Sequence, residues 1–490
     1  MTDLQALGVF SALLLVAVGA GEGLRAWGGW AAEDSRRIVH LGVGLATAIC
    51  PLWFSEPTYL YVLAAAFVVV NVVAVPRRLL PGMHGIERRS WGTVLFPFAY
   101  IVALALCWTL DASRVFVLQT AFAVLALADP AASVVGTRLA RPGRYTIRGE
   151  TKSVAGSAAF ALVAAATTAG FLSWLAPPSF GPVHVAVAAL TVALVGGASE
   201  ALGRAGWDNL WVVLAVIVPL SHLDARPEAV GAHALGLALA VPFGVASYRA
   251  RFLDLGGTLA ASVLAWMVVA LGGAAWAVPA VTFFFLSSLL SRLGRRRKAR
   301  AEALAEKGSR RDAGQVAANG GVGAALLAAY VFVPEAALFW AFVGSFAAAA
   351  ADTWGTEVGT LAGWPTRRLG VGPRVPPGTS GGVSLPGTLG AVTGASVVVG
   401  SALPFVPEAG VTLGVGAFVV AAGVVASFVD SALGATVQAR FRSLGGALTE
   451  RRSEAGAALP LAAGVAWVDN DRVNLACTLV GGGLAFLASV

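Results

Sequence analysis

The fold class this sequence predicts is all-α: a polytopic integral membrane protein with about 14–17 transmembrane helices in two parallel, homologous halves. Three observations predict it. The first is composition: 57% of residues are hydrophobic and 12% charged, where a globular domain carries about 25% charged residues. The second is that Lys and Arg gather on one side once apolar stretches are paired as hairpins. The third is a polar passage that occurs twice. Ala128-Asp129-Pro130 to Gly136-Thr137 returns as Ala351-Asp352-Thr353 to Gly359-Thr360, and Arg88-Arg89-Ser90 returns as Arg310-Arg311-Asp312. Arg89 precedes Asp129 by 40 positions, and Arg311 precedes Asp352 by 41.

The apolar stretches predict spans, in order, at roughly 4–21, 38–54, 58–75, 93–110, 115–128, 154–175, 183–198, 209–222, 230–246, 256–272, 274–291, 318–334, 336–351, 385–403, 411–429, 456–468 and 474–490. Several are short enough for half-helices. Leu4 to Ala20 reads as a first span, since no basic stretch precedes it. Pairing these spans puts nearly all of the 34 Lys and Arg on one face, with only Arg114, Arg226 and Arg472 elsewhere. The positive-inside rule makes that face cytoplasmic, which predicts a multi-pass protein of the cell's cytoplasmic membrane with its sites facing the cytoplasm. The same pairing puts Asp469 on the opposite face, so 456–468 is expected not to cross fully. The net charge of +8 reads as topology and attraction to lipid headgroups, with no nucleic-acid partner.

Cys50, Cys107 and Cys477 lie scattered in apolar segments, with neither a disulfide frame nor thiolate metal spacing. The five histidines form no HExxH-type cluster, which argues against zinc chemistry. Two domains are expected, 1–246 and 247–490, joined by the basic turn Tyr248 to Arg251. A charged segment, Arg292 to Asp312, is expected to form a surface helix.

An aspartate on an apolar helix is costly and usually functional, so Asp129 and Asp352 head the candidates, for metal binding or for orienting an acceptor. In the first half, Thr151-Lys152-Ser153-Val154-Ala155-Gly156-Ser157 opens a helix with small hydroxyl and glycine residues around one lysine. That is the composition of a phosphate cradle, and equally of a polar N-cap. Arg36, Arg37, Arg88, Arg89 and Arg148 supply further cations for an anion, and His40 and Asn209 are candidates for substrate contact. Glu200 and Asp208 join Asp129 as candidate Mg²⁺ ligands, since that ion takes carboxylates together with substrate phosphates. In the second half, Gly378-Thr379-Ser380-Gly381-Gly382 with Ser384 forms a richer anion loop, to which Arg311 adds charge. Glu357, Asp430 and Asp471 accompany Asp352 as metal candidates, Glu357 and Asp430 also as catalytic ones. Asn319, Asn470 and Asn474 are placed at substrate. Carboxylates, an anion loop and arginines at one interface are the parts of phosphoryl transfer, with a nucleotide as donor and an acceptor from the bilayer.

On these residues the first half resembles the polyprenol kinase family that contains phytol and dolichol kinases. The motifs are Arg36-Arg37-Ile38-Val39-His40, Arg88 to Thr93, Asp129 to Gly136, Thr151 to Ser157, and Glu200 with Asp208-Asn209-Leu210. The second half resembles the phytyl phosphate kinase family through Arg311-Asp312, Gln315-Val316, Asn319-Gly320, Asp352 to Gly359, Pro376 to Ser384, Asp430 to Gln438 and Asn470 to Asn474. The resemblance implies a fused pair of CTP-dependent kinases, using CTP (or another nucleoside triphosphate) and Mg²⁺. The first would convert an isoprenoid alcohol such as phytol or geranylgeraniol to its monophosphate, and the second would make the diphosphate, as in tocopherol biosynthesis. Pro130 stands where a glycine is common, and Val134 stands where the second half has Glu357, so the two sites are not expected to bind metal identically. The alternatives are a CTP-dependent lipid-phosphate cytidylyltransferase, whose C-terminal signature is missing here, and a transporter, whose polar residues would sit nearer mid-membrane.

Overall fold

The computed structural model describes residues 1–77, 90–139, 143–294, 310–405 and 413–489. The expected surface helix between Arg292 and Asp312 falls largely outside them. Among the described residues, 13 helices are long and apolar enough to cross a membrane, and Leu255–Ala270 is apolar but shorter. The protein is therefore an all-α polytopic membrane protein. Its chain divides into two compact units, Met1–Ala234 and Leu235–Val490.

The first unit runs α1 (Asp3–Gly28), α2 (Ala32–Ile49), α3 (Thr58–Arg77), α4 (Gly92–Leu104), α5 (Val115–Arg138), a hairpin of β1 (Arg144–Ile147) and β2 (Glu150–Ser153), α6 (Val154–Leu175), α7 (Pro182–Leu202, with a π-helical turn at Val192–Gly196) and α8 (Asp208–Ala225). Helix α9 (Val230–Arg249) contains the division between the units. The second unit continues with α10 (Leu255–Ala270), α11 (Gly273–Arg292), α12 (Ala313–Phe332), α13 (Ala336–Ala362), β3 (Thr366–Arg368), β4 (Arg374–Val375), β5 (Gly382–Val383), α14 (Leu385–Ala402), α15 (Leu413–Thr436), β6 (Arg440–Arg442), β7 (Leu448–Thr449), β8 (Ser453–Glu454), β9 (Ala457–Ala458), β10 (Leu461–Ala463) and α16 (Asn470–Leu487). The stretch 456–468 does not cross: it holds β9 and β10.

Each unit is built around one enclosed helix. In the first it is α5, buried along Phe116 to Ala126 on every face. In the second it is α13, buried without a break from Trp340 to Ala351. A helix apolar all round belongs in the interior of a bundle, and the Ala347–Ala351 run lets neighbours approach closely. Gly344 shows how closely α16 approaches: a Cβ there would lie 2.7 Å from the Gly481 carbonyl oxygen.

Strands are confined to connectors. The β1–β2 hairpin pairs Arg144 with Ser153 and Ile147 with Glu150. Its two-residue turn, Arg148-Gly149, has φ of +51° and +83°, as a type I′ turn demands. In the second unit β3 lies between β4 and β5, and β6 between β10 and β7. These small sheets fold the long connectors after α13 and α15 back over the helix ends.

Candidate functional site

Among the described residues each unit lines a large cavity. The first has a volume of about 930 Å³ and the second about 800 Å³.

The same framework stands behind both. Ser153 is the N-cap of α6, its Oγ accepting from the Gly156 amide at 3.1 Å. Ser384 is the N-cap of α14 and accepts from the Gly387 amide at 3.3 Å. A Cβ on Gly136 of α5 would stand 3.0 Å from Ser153 Oγ, and a Cβ on Gly359 of α13 would stand 3.0 Å from Ser384 Oγ. A Cβ on Gly156 would stand 2.8 Å from the Ala132 carbonyl, and one on Gly387 2.9 Å from that of Gly355. In both units, then, the aspartate-bearing helix crosses the next helix at glycines locked by a capping serine. Ser153, Gly156 and Ser384 are working as cap and crossing elements, and Ser157 bonds Tyr145 Oη at 2.6 Å. The N-cap expectation for Ser153 is met, Ser384 caps in the same way, and all of these residues border a cavity.

In the first cavity, Asp129, Glu200 and Asp208 line the polar end with Arg36, Arg37, His40, Lys152 and Asn209. Asp208 lies within electrostatic reach of Asp129 and of Lys152. Lys152 donates to the Glu200 carbonyl at 2.6 Å and pairs with its carboxylate. Burial works against the Lys152 ammonium, but Glu200, Asp208 and Asp129 together outweigh it and hold its pKa above the ordinary value. Its charge is thereby committed to the acidic cluster and not left for an anion. Arg37 donates to Ser133 Oγ at 2.9 Å and pairs with Asp34 and Glu33, tying α2 to α5. His40 Nε2 donates to the Leu125 carbonyl at 3.1 Å and lies 3.7 Å from Asp129. Asn209 spends its amide on the Gly92 carbonyl at 2.8 Å, a structural rather than a substrate contact. Arg148 is exposed on the hairpin turn and does not border the cavity; the turn's positive φ points the chain away. Arg144 and Glu150 of the same hairpin border it instead. Arg88 and Arg89 lie outside the described residues.

Deeper in, the cavity is walled mainly by apolar side chains. Phe10 and Leu14 of α1, Val39 and Val43 of α2, Leu60, Leu63 and Phe67 of α3, and Phe96 and Tyr100 of α4 wall it. Its lining follows α2 from Ala32 to Thr47, past Glu33, Arg36, Arg37 and His40 at the mouth to Val43 and Thr47 beyond, so the stretch past His40 runs about 10 Å at 1.5 Å per residue. A polar mouth therefore leads into an apolar sleeve.

In the second cavity, Asp352 and Asp430 carboxyls lie within hydrogen-bonding reach of each other. The Asn474 amide reaches Asp430 Oδ1 at 3.3 Å. Arg311, Asn319, Glu357, Asn470 and the whole Gly378–Gly382 loop border the space. Arg311 is fixed by its backbone, which bonds Phe252 and Asp254, and its guanidinium lies over Phe283 and Phe284 at 6.0 and 5.8 Å. Burial depresses its pKa, and the facing Glu357 carboxylate opposes that. The loop is a folded turn with Gly378 and Gly381 at φ of +81° and +77°. Within it Thr379 N–H donates to Pro376 and Gly382 N–H to Thr379, while Ser380 Oγ donates to Glu450. Asp471 does not border the cavity. Arg368, Gln438, Arg440 and Glu450 do; of these only Gln438 lay in a motif the sequence singled out, at the end of the run from Asp430.

The carboxylates suit a divalent cation in part. Among the described residues no three His, Cys, Asp or Glu side chains form a metal-binding group. What each cavity offers is a carboxylate pair, and Mg²⁺ takes one or two carboxylates and completes its shell with phosphates and water. Two carboxyls in contact, Asp352 and Asp430, need a proton or a cation between them. In the first cavity the Glu200 Oε2 atom is buried with no hydrogen-bond partner among the described residues, an acceptor in want of a donor or cation. Two of the three carboxylates Asp129, Glu200 and Asp208 in one cavity, and Asp352 with Asp430 in the other, fit such an ion.

Fold and cavities define a multi-pass membrane protein with a large cavity in each unit. The chain belongs to the family described as integral membrane protein DUF92, whose model matches residues 238–482. It is 27% identical over 269 residues to Protein PGR of Arabidopsis thaliana, covering 50% of this chain and 91% of that protein. It is also similar to uncharacterized membrane proteins of Methanocaldococcus jannaschii (31% over 155 residues, 31% of this chain) and of a Synechocystis strain (33% over 164 residues, 32% of this chain). Of each of those two it covers 61%. No solved structure matches it.

Proposed function

We propose that the chain is a bifunctional membrane kinase, the first unit phosphorylating an isoprenoid alcohol and the second phosphorylating the resulting monophosphate, with CTP and Mg²⁺. The observation that carries this reading is the first cavity, where a carboxylate mouth opens into a sleeve of apolar side chains from α1, α2, α3 and α4. A long-chain alcohol has that division of character: one hydroxyl to place among carboxylates, and a tail to keep from water.

Asp129, near His40, is placed to accept a hydrogen bond from the alcohol and aim its oxygen. Lys152 holds Glu200, and Arg36 and Arg144 supply cations to donor phosphates. In the second unit Asp352 and Asp430 take the corresponding places, with the Gly378–Gly382 loop and Arg311 beside them. Mg²⁺, when bound, would neutralise phosphate charge. A loose phosphoryl-transfer transition state asks mainly for position and charge, so no strong general base is required. With the basic connectors cytoplasmic, both mouths would open to the nucleotide pool of the cytoplasm.

The test is to incubate membranes carrying the full chain with labelled CTP and phytol or geranylgeraniol. The expected product is the lipid diphosphate, with monophosphate as a transient. A CDP-lipid would assign the chain as a cytidylyltransferase, and no labelled lipid would favour transport.

A further inference from the structure

The second cavity holds a patch of unsatisfied donors that the loop and the carboxylates do not explain. Arg368 on β3 and Arg440 on β6 each send an Nη2–H to one acceptor, the Ala435 carbonyl near the end of α15, Arg440 at 2.8 Å. A helix C-terminus carries roughly half a negative charge, and the carboxylate beside them, Glu450, receives the Ser380 hydroxyl. These do not balance two guanidinium groups. Burial, and then the neighbouring Arg368, depress the pKa of Arg440, with Glu450 opposing. Among the described residues, Arg440 Nε and Gln438 Nε2 are buried without a hydrogen-bond partner. Gln438 is 2% exposed, and all three side chains border the cavity. A buried donor left without an acceptor is costly, so two on one short stretch call for a ligand rich in acceptors.

We propose that Arg368, Gln438 and Arg440 form a phosphate-binding clamp in the second unit. The two cavities are complementary in this respect. The first presents an orphan acceptor, Glu200 Oε2, to a ligand that donates; the second presents orphan donors to a ligand that accepts. This deepens the kinase reading and rests on it only for the phosphate's source, which is either the lipid monophosphate or the nucleotide.

The test measures equilibrium binding of geranyl monophosphate and of CTP to the full chain in detergent micelles, without turnover. Gln438→Leu nearly preserves volume, and Arg440→Lys keeps a charge on the Ala435 carbonyl while removing Nε, so at least one variant should melt as wild type does. The expected result is a loss of about tenfold in affinity for one of the two probes, the scale of a lost hydrogen bond to a charged group. Weaker geranyl monophosphate binding would give the clamp to the lipid, and weaker CTP binding would give it to the nucleotide. Folded variants that bind both probes as wild type does would overturn the clamp, as would wild type that binds neither. Probe binding that the variants weaken, in a chain that makes no lipid diphosphate, would sink the kinase reading and leave the clamp standing.

Discussion

Lys152 holds Glu200 at two points, donating to its main-chain carbonyl at 2.6 Å and pairing with its carboxylate. Glu200 is buried, so removing the lysine strands a carboxylate next to Asp129 and Asp208. Breaking one side of such a buried pair costs about 3–5 kcal/mol. Lys152→Met should therefore lower the melting temperature sharply, and Lys152→Met with Glu200→Gln should recover most of it. The pH dependence has a definite sign. Because the Lys152 pKa is raised above its ordinary 10.5, its contribution is present in full below that value and is lost as pH rises past the raised one. The stability gap between wild type and Lys152→Met should stay level from neutrality to about pH 10 and close above it. A gap that closed near neutrality would contradict the pairing.

The glycine crossings give a second, purely structural prediction. Alanine at Gly156 or Gly387 would push a methyl against a carbonyl at 2.8 or 2.9 Å, and overpacking of that kind costs about 1–3 kcal/mol. Gly170 lies on the same helix as Gly156 and has nothing within 4 Å of its would-be Cβ. Gly170→Ala should be neutral or slightly stabilising, since alanine favours a helix over glycine by up to about 1 kcal/mol. Detergent melts of the three variants check this directly; equal losses at all three would mean the crossings are not close-packed.

These examples also show what could be read from the chain. Asp129 and Asp352 were legible because a carboxylate on an apolar helix has few reasons to exist, and the structure puts each on the wall of a cavity. Ser153 and Ser384 were legible as important but not in kind, since an N-cap and a phosphate loop draw on the same small hydroxyl residues. The sleeve was invisible: Leu60 and Phe67 face a cavity, while Val62 and Val69 on the same helix are exposed, and apolar composition cannot separate the two faces. Arg368 was missed because a strand of three residues carries no readable period, and Glu450 because it lies in an irregular connector just past β7, while Gln438 was seen only as the end of the run from Asp430. Pairing of Arg367 with Val383 and of Phe441 with Thr449 brings them over the cavity from distant connectors.

The division of labour between the units can be tested with two conservative changes. Under the kinase reading, Asp129→Asn should abolish monophosphate formation from the alcohol while conversion of supplied monophosphate continues. Asp352→Asn should do the reverse and let monophosphate accumulate. Loss of a positioning and charge-bearing group should reduce the affected step by at least about a hundredfold, read by chromatography of labelled lipid. A folded variant that lost both steps would mean that the cavities do not act separately.

Chain-length selection should reside in the sleeve of the first unit. Ala64 is buried on α3 and borders the cavity, among Leu60, Leu63 and Phe67, so a larger side chain there would occupy volume that a tail needs. Ala64→Phe should raise KM for a twenty-carbon alcohol about tenfold or more and leave a ten-carbon alcohol, whose shorter tail reaches less far, within about twofold. The scale follows from apolar transfer, where each methylene denied burial forfeits about 0.8 kcal/mol, so two displaced methylenes already exceed a factor of ten. The second cavity lacks a comparable apolar run along its helices, so conversion of supplied monophosphates should be indifferent to this substitution at both chain lengths. Equal impairment of short and long alcohols would show that the tail lies elsewhere, in the bilayer and not between α1, α2, α3 and α4.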